Sequence, residues 1–102
     1  MTAPNTMKPA QLARLIGTPD APALVDICID QDFAQDPRLI PTSFRHPFTQ
    51  IEELLPNLQG RKTVVICQKG KKLSQGAMAL LRTQGVDAEV LEGSIFGWRD
   101  FG

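Results

Sequence analysis

The run TVVIC, residues 63–67, is short, apolar and β-branched, which is the make-up of a strand buried on both faces. From it the chain passes through the loop CQKGKK, residues 67–72, into its clearest helical period. Over residues 74–84, Ala77, Leu80 and Leu81 fall on one face, and Gly85 follows as a natural stop. Two further strand-like runs flank this unit, ALVDICI at residues 23–29 and AEVLEG at residues 88–93. Strands that alternate with helices join a sheet through crossovers. This predicts an α/β fold with a central, mainly parallel sheet covered on both faces. In such sheets ligand sites lie outside the carboxyl ends of the strands, and Cys67 stands at that end of its strand.

The other segments fill in a single domain spanning residues 1–102, with residues 1–7 read as a flexible lead-in. Residues 9–16 predict a short helix with Leu12, Leu15 and Ile16 on one face, stopped by Gly17. Residues 32–35 suit one helical turn, and residues 36–47, with three prolines, suit extended or looped chain. Thr49 and Glu52 have capping-box spacing before an apolar face of Ile51, Leu54 and Leu55, and Pro56 is expected to end or kink that helix. Residues 57–62 read as a turn. Ser74 reads as the N-cap of the helix that follows it, or close to it. Residues 94–101 predict a closing helix in which Ile95, Phe96 and Trp98 anchor the core.

Composition narrows the function. Forty-two per cent of the chain is apolar and formal net charge is zero, which argues for a compact core and against a nucleic-acid or membrane-surface binder. No apolar run approaches the roughly 20 residues that span a bilayer, and the N-terminus lacks the apolar core of a secretory signal. The two cysteines form no CxxC pair, and with the single histidine they complete no zinc set, so neither a metal nor a disulfide scaffold is expected. A cytoplasmic protein is the default. His46, in FRHPF, is expected to be an exposed loop residue rather than a catalytic base.

The loop after Cys67 has a definite chemistry. Unpaired amides at a helix start, the helix dipole, and Lys69, Lys71 and Lys72 all favour thiolate over thiol. Gly70 can take positive φ and let the loop curl round the sulfur, turning amides inward. The outcome is a nucleophilic sulfur in an anion-binding cradle, suited to a small or sulfur-bearing anion. The structural alternative is a buried cysteine that ends a strand, followed by a solvated basic loop. Cys28 is open to two readings, a resolving thiol near Cys67 or a small buried residue in an apolar strand.

With ALVDI at residues 23–27, LIP at residues 39–41, VVICQKGKKLSQGA at residues 64–77 and LEGSIFGW at residues 91–98, the chain resembles rhodanese-like sulfurtransferase domains over residues 8–101. The loop CQKGKKLSQG also resembles a subgroup that accompanies chromate-resistance proteins. The resemblance implies a three-layer fold with about five strands and a thiosulfate sulfurtransferase-like activity without cofactor. Cys67 would carry sulfane sulfur as a persulfide. Gln68, Lys69, Gly70, Lys71, Lys72 and Leu73 would bind the substrate, with Lys69 and Lys72 touching the donor directly. The implied partners are a small anionic donor and a thiol-type acceptor, and a protein acceptor or a fused domain stays open.

Departures from the family pattern are plain. Many relatives carry Arg two places after the strand Asp, where this chain has Cys28. RLIPTS stands where many have GHIPGA, and Ser94 replaces the second glycine of the usual pair. Phosphatase chemistry needs Arg at the end of a Cys-x5-Arg loop to fork around phosphate, and Leu73 occupies that place. The competing function is a non-catalytic or regulatory module that binds an oxyanion or a protein in the same pocket. The chain stops just after the last expected helix, so one module of a longer protein is a further expectation.

Overall fold

The structure, a computed structural model, describes residues 5–35, 39–68 and 72–101, without the side chain of Lys72. The expectations for Lys69, Gly70, Lys71 and the Lys72 side chain lie outside the described residues.

Five strands form one wholly parallel sheet. They are β1 (Thr6–Met7), β2 (Ala23–Asp26), β3 (Phe44–Arg45), β4 (Lys62–Ile66) and β5 (Asp87–Leu91), in the order β1-β5-β4-β2-β3. The expected Thr63–Cys67 strand is therefore the middle one, and its run of β-branched residues is buried throughout. The strands carry α1 (Pro9–Leu15), α2 (Asp30–Gln35), α3 (Leu55–Leu58), α4 (Lys72–Thr83) and α5 (Ser94–Phe101), with a 3-10 helix at Phe48–Leu54.

Strand alternation divides the core in two. On one face Val25, Ile27, Val65 and Cys67 pack with Ile51, Leu58, Ala77 and Leu81 under the 3-10 helix, α3 and α4. On the other face Leu24, Cys28, Val64 and Ile66 pack with Leu12 and Ile95 under α1 and α5, and Trp98 closes over that side as the expected anchor. This is the α/β/α layering that the alternating pattern requires.

Several local expectations are corrected. Thr6 and Met7 are not a loose lead-in: they pair with Val90 and Leu91, and Met7 is buried. Two residues are too few to show a period, so no sequence pattern marks them. β2 ends at Asp26, short of residue 29, because Asp26 Oδ1 accepts the Cys28 amide at 2.9 Å and turns the chain locally. The Thr49 capping box does not form. Pro47, with φ −60°, starts the 3-10 helix at Phe48 without a side-chain cap. Pro56 opens α3 rather than ending a helix, since its missing N–H costs nothing in a first turn, and Asn57 and Leu58 are helical rather than turn.

Candidate active site

β4 delivers Cys67 to the carboxyl edge of the sheet, one residue past its end. Cys67 exposes 5% of its surface and lies on the face covered by α4. Ser74 is not the N-cap of α4. The helix already runs from Lys72, which places Ser74 inside the first turn and brings its buried Oγ to 3.1 Å from the Cys67 sulfur. The hydroxyl of a helical serine is thus turned onto the thiol.

The start of α5 holds the other side of the loop. The Ile95 amide donates to the Cys67 carbonyl at 3.0 Å, and the Phe96 amide donates to the Gln68 carbonyl at 3.1 Å. Across a trans peptide the carbonyl and the next amide point in opposite directions, so the Gln68 N–H is aimed away from α5. The Cys67 amide itself donates to Ser94 Oγ at 3.1 Å. The segment 93–98 therefore holds the first two residues of the thiol loop, Cys67 and Gln68, directly.

That segment depends on a close approach. Gly93 has φ +70°, and a Cβ there would come within 2.8 Å of Gly97 Cα. A Cβ on Gly97 would come within 2.3 Å of the Glu92 carbonyl oxygen. Backbone meets backbone here, and neither position has room for a side chain.

Between the chain after β2, the chain around β3 and Leu73 of α4 opens a cleft of about 490 Å³, within the size range of small-ligand sites. Leu73 forms part of its wall, as do Cys28, Arg45, His46 and Phe48. Of the sequence-expected substrate residues, Leu73 lines this cleft, while Gln68 extends toward α2, its Nε2 donating to Gln35 Oε1 at 3.0 Å. His46 is half-buried, not exposed: its Nε2 lies 2.8 Å from the Gln50 carbonyl and 3.6 Å from Glu53.

Sequence reasoning misses Arg45. Its Nη2 donates to the Cys28 carbonyl at 2.8 Å and to Asp30 Oδ1 at 3.0 Å, and the guanidinium lies 4.1 Å from the Phe33 ring centroid. Arg45 is the register partner of Asp26, a relation across strands that no local spacing reveals.

Cys28 and Cys67 stand on opposite faces of the sheet. Cβ vectors that point apart cannot be bridged without moving backbone, so the structure favours the small buried residue over the resolving thiol. Burial first, then the Asp26 side chain beside it, pushes the Cys28 thiol well above its ordinary range. Cys28 is held neutral. Among the described residues no cluster of His, Cys, Asp or Glu could hold a metal ion, and no helix is long and apolar enough to cross a membrane.

The profile of the rhodanese-like domain family matches residues 8–101. No curated protein sequence matches closely enough to count as a relative. Among solved structures, a rhodanese homologue from the extremely thermophilic bacterium Thermus thermophilus is 27% identical with TM-score 0.68, covering 88% of this chain and 95% of that one. A rhodanese-related protein from Thermoplasma volcanium is 24% identical with TM-score 0.79, covering 96% and 93%. Thiosulfate sulfurtransferase from Pseudomonas aeruginosa is 24% identical with TM-score 0.80, covering 96% of this chain and 18% of that one. With the family profile matched over residues 8–101 and a thiol at the carboxyl end of the middle strand of five, the chain belongs to the rhodanese-like domain family.

Proposed function

We propose that the protein is a sulfurtransferase that carries sulfane sulfur on Cys67. The observation that carries this reading is the placement of one thiol at the carboxyl end of the central strand, 3.1 Å from the hydroxyl of Ser74 in the first turn of a twelve-residue helix. A hydroxyl at that distance donates to a thiolate or to the inner sulfur of a persulfide. The aligned amides of the helix start add positive potential.

In the first step the Cys67 thiolate attacks the outer sulfur of a thiosulfate-type donor. A sulfur–sulfur bond forms to Cys67, the donor's sulfur–sulfur bond breaks, and its electron pair leaves with sulfite. In the second step a thiolate acceptor attacks the outer persulfide sulfur, and the electron pair returns to Cys67. No net oxidant or reductant is needed. Lys69, Lys71 and Lys72 steer the anionic donor, and Gln68, Gly70 and Leu73 complete the loop around it. A small anionic donor and a thiol acceptor, free or on a protein, are the matching partners.

The burial of Cys67 favours a second reading, a regulatory module that binds an oxyanion or a protein without turnover. Mass spectrometry after thiosulfate treatment separates the two. The expected result is one added sulfur on Cys67, absent in Cys67→Ala and removed by added thiol. An unmodified Cys67 in folded protein overturns the transferase.

A further inference from the structure

We infer that Ser94 is a positioning residue for Cys67: its side-chain hydroxyl extends the sheet's hydrogen-bond ladder past the last β4–β5 pair and sets where the reactive loop leaves the strand. The inference rests on the reading of Cys67 as the reactive thiol.

The register of β4 on β5 ends at Val65 with Val90. Cys67 lies two residues beyond, where no strand residue of β5 is paired with it. Its amide donates to Ser94 Oγ at 3.1 Å, and the same hydroxyl donates to the Leu91 carbonyl at 3.3 Å. One oxygen is thus inserted between the β4 amide and the β5 carbonyl. A direct amide–carbonyl bond would span about 2.9 Å. The inserted hydroxyl holds Cys67 off β5 while still satisfying both backbone groups.

The backbone of Ser94 supports the assignment. Its φ is +47°, a left-handed conformation that strains a non-glycine residue. Glycine would adopt that φ without strain. Ser94 is completely buried, so its hydroxyl serves neither solvent nor substrate. The hydroxyl's donor and acceptor both go to the strand ends that frame the thiol. The carbonyl of Cys67 is fixed by the very next residue, Ile95. Both backbone polar groups of Cys67 are therefore set by one two-residue corner.

The test compares Ser94→Gly and Ser94→Thr with wild type. It uses thermal melting and the pH profile of iodoacetamide labelling at Cys67, with the label located by peptide mass. Glycine removes the strain together with the hydroxyl. The expected result is a melting temperature at or above wild type, with Cys67 labelling at neutral pH slowed about three- to tenfold, the equivalent of one hydrogen bond. The labelling profile should also move to higher pH. Threonine keeps the hydroxyl under greater strain, and is expected to melt lower yet to label with the wild-type profile. A Ser94→Gly protein whose labelling rate and profile match wild type overturns the inference, as does one whose labelling falls only together with its melting temperature. Labelling needs no sulfur donor. A wild-type protein that labels normally but gains no sulfur from thiosulfate sinks the transferase reading and leaves the role of Ser94 to be decided by the same profile.

Discussion

The sulfur of Cys67 and the hydroxyl of Ser74 lie 3.1 Å apart, both buried, at the two ends of the loop that joins the central strand to α4. In the thiol form the Cys67 S–H donates to Ser74 Oγ, and once the sulfur is ionised the hydroxyl proton can turn to donate back to it. A hydrogen bond to a charged group contributes about 1.5–3 kcal/mol, and each 1.36 kcal/mol is tenfold in rate. Ser74→Ala is therefore expected to slow persulfide formation about ten- to a hundredfold, while Ser74→Thr recovers most of it. Stopped-flow or quenched mass measurement of sulfur loading checks this. Equal rates for Ser74→Ala and wild type would remove the hydroxyl from the chemistry.

A second expectation concerns the Gly93–Gly97 contact. Any side chain at residue 97 meets the Glu92 carbonyl, which is backbone and cannot step aside. Gly97→Ala must push α5 away, at a cost of about 1–3 kcal/mol for overpacking. The amides of Ile95 and Phe96 that hold the loop carbonyls move with it. Lower thermal stability and weaker sulfur loading are expected together. A variant that keeps both unchanged would show that α5 does not hold the loop.

Much of this arrangement is legible in sequence, and the illegible part has a common cause. Residues 63–67 and 74–84 betray their elements because a buried parallel strand needs an unbroken β-branched run and a covering helix needs a 3.6-residue period. Cys67 stands out because the two patterns meet there. By contrast, Arg45 reaches Cys28 across 17 residues, and Ser94 reaches Cys67 across 27. Those partners are set by strand order, which no local window contains. Ser74 misleads for a subtler reason. Capping preference marks serine as a helix start, yet α4 begins two residues earlier, and the hydroxyl reaches the sulfur. Pro47 likewise outweighs the Thr49 capping signal by fixing the entry φ one residue ahead of the helix.

Arg45 offers a third prediction. Its guanidinium is oriented by Phe33 and the Cys28 carbonyl, but its carboxylate partner among the described residues, Asp30, is 98% exposed. Exposed ion pairs are weak, so an anion entering the cleft can displace Asp30 at little cost. Arg45→Met is expected to raise KM for thiosulfate several-fold with kcat nearly unchanged, and to flatten the dependence of KM on ionic strength. A fall in kcat at constant KM would assign Arg45 to the thiol loop rather than to donor capture.

Cys28 supplies the last prediction, through pH. Its folded-state thiol is raised above its ordinary value of 9.0, by burial first and then by the Asp26 side chain. A raised acid stays protonated in the folded chain while the unfolded chain ionises. The linked stability is therefore complete below about pH 9 and is lost progressively as pH rises beyond it. Between pH 7 and pH 10 the wild type should lose more stability than Cys28→Ala, whatever the cost of the small cavity that alanine leaves at both pH values. Asp26→Asn removes one of the charges that hold the thiol neutral and should shrink the alkaline loss. Native labelling at pH 8 should modify Cys67 while sparing Cys28 until the chain is unfolded. If Cys28 labels readily in the folded protein, or if Cys28→Ala loses as much alkaline stability as wild type, then the thiol is not held neutral by its surroundings. The reading of Cys28 as an inert residue in the cleft wall would then have to be abandoned.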